Sequence, residues 1–146
     1  MKSNNKLIVI VLVLLILVSC NAVEKDFQET IDRTSSCKHI SDVEKLFGRP
    51  DYVDHLGNLQ YENVFFRGIK GRSTISSINC RICITFVADE PPSTTFFQET
   101  KTYFDDLYGD AEYGPILKYY QWSLPDGREL RLYDTAEDYF EIAIYI

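Results

Sequence analysis

Apolar residues follow two different patterns in this chain: one unbroken run near its start, and alternating or helical runs after it. Leu7 to Val18 is a run of twelve apolar residues, preceded by Lys2 and Lys6 and by no acidic residue. A helix of that length reaches about 18 Å, whereas the hydrocarbon core of a bilayer is about 30 Å thick. The run is therefore typical of the apolar core of an export signal, not of a membrane-spanning helix.

Helical spacing of apolar residues predicts three helices after the run. Residues 24–33 form the first, and a capping box at Ser41 and Glu44 begins the second. Gly48 suits the end of that helix, and Pro50 prevents its continuation. The third begins at Thr95 and ends at Gly109. Its predicted buried face consists of Phe97, the stem of Lys101, Phe104, Leu107 and Tyr108.

Alternation of apolar and polar residues predicts antiparallel strands. The predicted strands are 59–66, 75–87, 117–124, 128–133 and 139–146. Residues 67–72 are predicted to be a loop. In strand 75–87 the even positions, Cys80 among them, are expected to face inward. Trp122 is expected in the core.

The two halves of the chain resemble each other at an offset of 61 residues. Residues 46–48 match residues 107–109, Gln60 matches Gln121, and Tyr61 matches Trp122. We predict an α+β domain, with one antiparallel sheet, helices packed on one face, and tandem helix-strand-strand repeats at 37–90 and 93–146. An alternative is that common helix-end and strand patterns produce these matches without duplication. The predicted architecture is the same in both cases.

Composition and charge limit what the chain can be. It has 146 residues, 45% hydrophobic and 14% aromatic, which allows one modest domain with a core and excludes low-complexity disorder. The net charge of -7 and the lack of a long basic cluster argue against nucleic-acid binding. Residues 99–141 hold eleven acids and four bases, whereas residues 62–81 hold one acid and four bases. This polarity would steer a basic partner to the second half.

The apolar run ends in Leu17-Val18-Ser19-Cys20, which resembles the lipobox of bacterial lipoproteins. The resemblance implies a signal peptide at 1–19, an acyl-modified (palmitate-bearing) Cys20 as mature N-terminus, and a lipidated tether over 20–36 before a binding domain at 37–146. It implies a bacterial cell-envelope protein held to a membrane, periplasm-facing in a Gram-negative cell. Loss of Lys2 and Lys6 would make the charge -9. The alternatives are an uncleaved membrane anchor, or an ordinary signal peptide in which Cys20 is incidental.

Residues 42–51, with the sequence DVEKLFGRPD, resemble the helix-end motif of small outer-membrane assembly lipoproteins (the BamE/SmpA group) and of beta-lactamase inhibitor protein. The resemblance implies a fold of helices on a sheet, in tandem copies in the second case. The Gly-Met-Thr that leads into the helix of the assembly lipoproteins is replaced here by residues 38–41. No functional residue is carried over.

The envelope location predicted above allows one disulfide among the other three cysteines. We predict a bridge from Cys37 to Cys80, with Cys83 as the alternative to Cys80. Cys80 and Cys83 have the spacing of a redox motif, but residues three apart on a strand point to opposite faces. A redox site is therefore not predicted.

Residues that could carry chemistry are few. His39 and His55 are the two histidines, and neither has the spacing of a zinc motif. His39 near Cys37 is the one local base beside a nucleophile. The acidic pairs Asp105-Asp106 and Glu137-Asp138 are adjacent in sequence, so their carboxylates diverge. We predict no enzyme activity, no metal and no cofactor.

The outward-facing positions of the last strands are rich in tyrosine and arginine, which interfaces favour. The predicted partner-binding residues are Tyr119, Arg131, Tyr133, Tyr139, Glu141 and Tyr145. The alternative is aromatic pairing that only stabilises the sheet. We predict a membrane-anchored, non-enzymatic protein-binding module that acts in envelope assembly, with another envelope protein as partner. The competing hypothesis is an inhibitor or immunity protein that neutralises a toxin or enzyme through an acidic, tyrosine-rich sheet face.

Overall fold

The computed structural model describes residues 24–134 and 139–146 and shows an α+β fold with three α-helices and a nine-stranded sheet. The helices are α1 (Phe27–Arg33), α2 (Ile40–Phe47) and α3 (Thr94–Tyr108). The strands are β1 (Lys25–Asp26), β2 (Tyr52–Val53), β3 (Leu59–Phe66), β4 (Ile69–Ile78), β5 (Arg81–Ala88), β6 (Glu112–Gly114), β7 (Tyr119–Ser123), β8 (Glu129–Tyr133) and β9 (Glu141–Tyr145). The predicted α+β class is confirmed.

The sheet is antiparallel except at one edge. Its order is β1-β3-β4-β5-β9-β8-β7-β6, with β2 also paired to β3. The β1–β3 pair is parallel, and the remaining pairs are antiparallel. At the centre β5 lies beside β9, with Ile84 opposite Ile144 and Phe86 opposite Ile142. The last strand in chain order therefore lies in the middle of the sheet.

The ends of α2 and α3 follow from their flanking residues. Gly48 (φ 78°) and Gly109 (φ 88°) end the two helices as predicted, in a conformation that favours glycine. The predicted capping box at Ser41 and Glu44 is wrong. The helix starts at Ile40 instead, and the Asp42 carboxylate accepts hydrogen bonds from the backbone N–H groups of Lys38 and His39, each 3.1 Å.

Two predictions about the strands of the first half are wrong. Residues 67–72 are not a loop, because the chain turns at residues 67–68 and continues as β4 from Ile69. The long strand 75–87 is two strands, since Ile78 pairs with Arg81 across a two-residue turn. In that turn Asn79 (φ 50°) and Cys80 (φ 62°) both have the left-handed conformation that tight hairpins require. Cys80 is therefore exposed rather than inward-facing.

The core joins the helices to the sheet through aromatic contacts. Phe66 on β3 lies 5.8 Å from Phe104 of α3 and 6.4 Å from Phe27 of α1, measured between ring centroids. Trp122 is 1% exposed, which confirms its predicted position. Leu107 is 51% exposed, so its predicted place on the buried face of α3 is wrong.

Polar groups in or near the core reach specific partners in the helical segments. The Tyr61 hydroxyl donates to the carbonyl of Gly48, at 3.0 Å, and the Trp122 indole N–H donates to Asp105 Oδ1, at 3.1 Å. The buried Arg128 guanidinium donates to the carbonyl of Ile31 and to Thr34 Oγ1. Arg128 thus ties the β7–β8 hairpin to the end of α1.

Candidate functional site

Five of the six predicted partner-binding residues lie on the adjacent strands β7, β8 and β9, and Tyr139 lies two residues before β9. Tyr119 on β7 is opposite Tyr133 on β8, and Tyr133 is opposite Glu141 on β9. On β8, Arg131 and Tyr133 alternate with Leu130 and Leu132, which are fully buried. Because successive residues of a strand point to opposite faces, the partly exposed side chains emerge from the face opposite those leucines.

Four of these side chains form one contact group, which we call the tyrosine-arginine cluster: Tyr119, Arg131, Tyr133 and Tyr145. The Arg131 guanidinium lies 4.6 Å from the ring centroid of Tyr119 and 4.5 Å from that of Tyr145. Cation–π contacts of this kind stabilise both the charge and the rings. The sequence predicted these residues singly, and the structure brings them together.

Hydroxyl and ring contacts complete the tyrosine-arginine cluster. The Tyr133 and Tyr145 hydroxyl oxygens are 3.0 Å apart, and the Tyr119 and Tyr133 ring centroids are 5.7 Å apart. Burial, and then the hydrogen bond with Tyr133, raises the pKa of Tyr145. Tyr145 is therefore neutral across the physiological pH range.

Glu129 and Arg81 extend the cluster. Arg131 donates to Glu129 Oε2 at 3.1 Å and to Gln121 Oε1 at 3.1 Å, while Arg81 donates to Glu129 Oε1 at 3.0 Å. The two arginines thus share one carboxylate. Arg81 is not among the residues predicted from the sequence, although its alternation with Ile82 on β5 was the available signal.

Tyr139 and Glu141 lie beside the cluster and contact each other. The Tyr139 hydroxyl donates to Glu141 Oε2 at 2.7 Å. Burial raises the pKa of Glu141, although the bond from Tyr139 works in the opposite direction. Next to them is a cavity of about 160 Å³ whose lining includes Pro91, Phe97 and Tyr133. The chain thus combines an apolar recess with the charged and phenolic face.

The three described cysteines are free thiols. Cys37 is buried in the core and Cys83 is 1% exposed. Burial raises the pKa of both thiols, which favours the unreactive protonated form. The disulfide from Cys37 to Cys80, or to Cys83, stays a prediction, and its premise that Cys80 faces inward is wrong.

The other chemistry-bearing residues do not converge. Asp105 accepts from Trp122, Ala111 N–H and Lys101, so it has a structural role, while Asp106 is exposed. Within residues 24–134 and 139–146, no group of three His, Cys, Asp or Glu side chains could hold a metal ion. The pair Glu137-Asp138 lies outside the described residues.

The predicted signal peptide at 1–19 and the predicted anchor Cys20 lie outside the described residues. Among the helices that are described, none is long and apolar enough to cross a bilayer. Comparison with family models, curated proteins and solved structures found no match.

Proposed function

We propose that the chain is a membrane-anchored lipoprotein of the bacterial cell envelope and acts as a non-enzymatic protein-binding module in envelope assembly. The anchor is Cys20, after cleavage of the signal peptide at 1–19. The support is the order of a basic start, a twelve-residue apolar run and the lipobox-like residues 17–20. Stable attachment takes more than one acyl chain on that cysteine.

The proposed architecture is a duplicated unit with helices covering one face of the sheet. In support, α2 precedes β2 to β5 in the first half, and α3 precedes β6 to β9 in the second. In the first half the short strand β2 pairs with β3, and β3 to β5 form a meander. In the second half the short strand β6 pairs with β7, and β7 to β9 form a meander. The halves meet through their last strands, β5 and β9, which run antiparallel. A duplicated unit joined in this way would be approximately two-fold symmetric. Gln60 and Gln121, which are 61 residues apart, lie on the corresponding strands β3 and β7.

The single observation that carries the binding function is the tyrosine-arginine cluster. The rings of Tyr119 and Tyr145 both contact the Arg131 guanidinium. Gln121 and Glu129 accept hydrogen bonds from its N–H groups. Side chains that are already ordered lose less entropy on association. Tyrosine and arginine are also among the residues enriched at positions whose truncation weakens an interface strongly. This face is therefore ready to bind a protein without rearranging.

A second candidate function is inhibition or immunity against a toxin or enzyme. The observation that favours it is the acidic character of residues 99–141, with Glu129 and Glu141 beside the cluster. Such a field would speed the encounter with a basic partner. A toxin-like neighbouring gene would favour this function, whereas loss of outer-membrane integrity on deletion would favour the assembly role.

The test is affinity capture from detergent-solubilised envelopes with the native chain and the double variant Tyr139→Ala, Tyr145→Ala. We expect the variant to lose most of the captured partner, because it removes one wall of the Arg131 stack and the exposed phenol beside it. The matched control is Tyr113→Ala, which truncates a tyrosine that is 48% exposed on β6, away from the cluster.

Circular dichroism separates loss of the binding face from loss of the fold. A folded double variant that captures as much partner as the native chain would rule out this surface. Equal loss in Tyr113→Ala would rule it out as well, because binding would then not be specific to the cluster.

A further inference from the structure

We propose that a second surface, the β2 patch (Tyr52, Val53 and Leu56), rests on the phospholipid bilayer that holds Cys20. The inference rests on the proposed lipidation of Cys20. It adds to that function an orientation of the domain relative to the membrane. The patch is on the sheet edge that the N-terminus enters, and its side chains are exposed and apolar.

Strand pairing places the N-terminus and the patch on the same edge. β3 pairs with β4 along one edge, so β1 and β2 both lie along the other. Lys25 is opposite Val64, and Val53 is opposite Leu59, five residues earlier on β3. A bulge between Tyr61 and Val64 shortens this stretch, because the four residue steps from Ile75 to Gly71 on β4 cover the same length. At about 3.3 Å per residue, the two positions are about 13 Å apart along the strand.

The direction of β1 brings the anchor towards the patch. Because β1 is parallel to β3, the chain enters β1 from the end at which β3 begins. The loop that follows β2 joins β3 at that same end. An ion pair also links β1 to this region, since Lys25 Nζ is 3.7 Å from Asp51 Oδ2, one residue before the patch.

The tether is too short to hold the patch far from the lipid. Glu24 is the first described residue, and Cys20 is four residues before it. An extended chain spans at most about 3.6 Å per residue, so Cys20 lies within about 14 Å of Glu24. This reach is about equal to the distance between β1 and the patch. The edge that carries β1 and β2 is thus the part of the domain closest to the bilayer.

The chemistry of the patch fits the boundary between headgroups and acyl chains. Tyr52 is 50% exposed, Val53 is 55% exposed and Leu56 is 73% exposed. Neighbouring residues of a strand point to opposite faces, so Tyr52 and Val53 can touch one surface only if it meets the sheet edge-on. A bilayer that lies against the sheet edge would contact both side chains. Tyrosine is also enriched at membrane interfaces.

The two acidic residues next to the patch, Asp51 and Asp54, have local partners. Asp51 accepts from the N–H of Glu62 at 2.7 Å in addition to its contact with Lys25. Asp54 accepts from the N–H groups of Leu56 and Asn58, at 2.9 and 3.0 Å. These bonds give both carboxylates hydrogen-bond partners within the protein, although the Asp51 side chain is still 46% exposed. Contact with lipid is therefore apolar, and we expect it to depend little on anionic lipid or on salt.

The opposite edge of the sheet provides an internal control. Ile116 lies in the loop between β6 and β7 and is 92% exposed, so like Leu56 it is an exposed apolar residue in a loop. Seven strand spacings separate the two edges, which is over 30 Å at about 4.8 Å per spacing. An anchored domain that rests on the β2 edge holds Ile116 away from the lipid.

The experiment uses tryptophan fluorescence in the lipidated full chain. The chain has one tryptophan, Trp122, which is buried, so an added tryptophan reports its own surroundings. The variants Leu56→Trp and Ile116→Trp change exposed positions and leave the core intact. Each is reconstituted into phosphatidylcholine vesicles with and without brominated phospholipid, and flotation confirms attachment. Cys20→Ser is the control for attachment.

We expect brominated lipid to quench the fluorescence of the added tryptophan in Leu56→Trp and to leave that of Ile116→Trp unchanged. High salt is expected to leave the quenching of Leu56→Trp unchanged. Floating protein in which Leu56→Trp is not quenched would overturn the membrane contact and leave the anchor intact. Equal quenching of both variants would also overturn it, because the domain would have no fixed orientation. If native protein floats no better than Cys20→Ser, lipidation fails and the inference fails with it.

Discussion

Asp105 illustrates how one side chain can join a helix to the sheet. Its carboxylate accepts from Lys101 Nζ at 2.6 Å and from the Trp122 indole at 3.1 Å. It also accepts from the N–H of Ala111 at 3.2 Å. Burial alone would raise the pKa of Asp105, but these hydrogen bonds outweigh it and hold the pKa below its ordinary value. The ionised form therefore contributes to stability.

Replacing this carboxylate gives a prediction with a defined pH dependence. Asp105→Ala leaves the buried Trp122 N–H without its partner, which costs about 1–3 kcal/mol of unfolding free energy at neutral pH. Because the folded-state pKa is lowered, the contribution is present above about pH 4 and is lost as the pH falls further. Urea unfolding followed by Trp122 fluorescence at neutral and acidic pH measures both effects.

Asp106→Ala is the matched control, because Asp106 is the exposed neighbour in the same acidic pair. We expect a change within about 0.5 kcal/mol, as for most surface substitutions. A loss equal to that of Asp105→Ala would show that charge, and not the bonds to Trp122, decides the stability.

At the scale of elements, the β4–β5 hairpin shows where local pattern misleads. Ile78, Ile82 and Ile84 keep the alternation of a single strand across the turn, so the sequence gives no apolar break. The turn is made by Asn79 and Cys80, both with positive φ. Asparagine adopts this conformation readily, but cysteine is unusual there, and a left-handed residue other than glycine costs about 1 kcal/mol.

Cys80→Gly tests the cost of this turn. We expect the reduced protein to gain about 1 kcal/mol of unfolding free energy relative to Cys80→Ala, because only glycine removes the left-handed strain. Thermal or urea unfolding in the presence of reductant measures the difference. Equal stability of the two variants would contradict the assigned turn.

The same variants, unfolded without reductant, test the predicted disulfide. If Cys37 is bridged to Cys80, both variants lose about 2–4 kcal/mol relative to the oxidised native protein. Cys83→Ala is the control for the alternative pairing. Mass spectrometry of an unreduced digest identifies the bridge directly, and three free thiols in envelope-purified protein would eliminate it.

Local signals explain which elements could be predicted. The bounds of β3, the glycine ends of two helices and the inward position of Trp122 depend on neighbouring residues, and the structure confirms them. The central β5–β9 pair and the bond from Arg81 to Glu129 join residues far apart in the chain. No periodicity in the sequence encodes such pairs. The tyrosine-arginine cluster was therefore predicted by composition, and its contacts were not.

At the scale of the whole molecule, the two halves share one sheet and one core. The β5–β9 ladder joins them, from Cys83 opposite Tyr145 to Val87 opposite Glu141. Arg128 adds a second link, since it reaches from the β7–β8 hairpin to the end of α1. These contacts make it costly for one half to unfold while the other stays folded.

We therefore expect a substitution in the first half to destabilise the second by the same amount. Val64→Ala, at a fully buried position on β3, is expected to cost about 2 kcal/mol. We expect the same loss of unfolding free energy by two probes. Trp122 fluorescence reports the second half, and far-ultraviolet circular dichroism reports the whole chain.

Val53→Ala is the control, because Val53 is 55% exposed on an edge strand. It is expected to leave both signals unchanged. If Val64→Ala moves the dichroism transition and leaves the Trp122 transition in place, the halves unfold independently and the shared-sheet argument fails.

The central position of β9 also has a consequence in time. A ribosome or a translocation channel delivers the chain from its N-terminal end, so every other strand emerges before the one that pairs with both β5 and β8. Until β9 arrives, these two strands have open edges and the core lacks Ile142 and Ile144. The domain cannot complete its fold on a partly delivered chain. If the chain is exported in the unfolded state, as proposed, this order of delivery postpones folding until the strands have crossed.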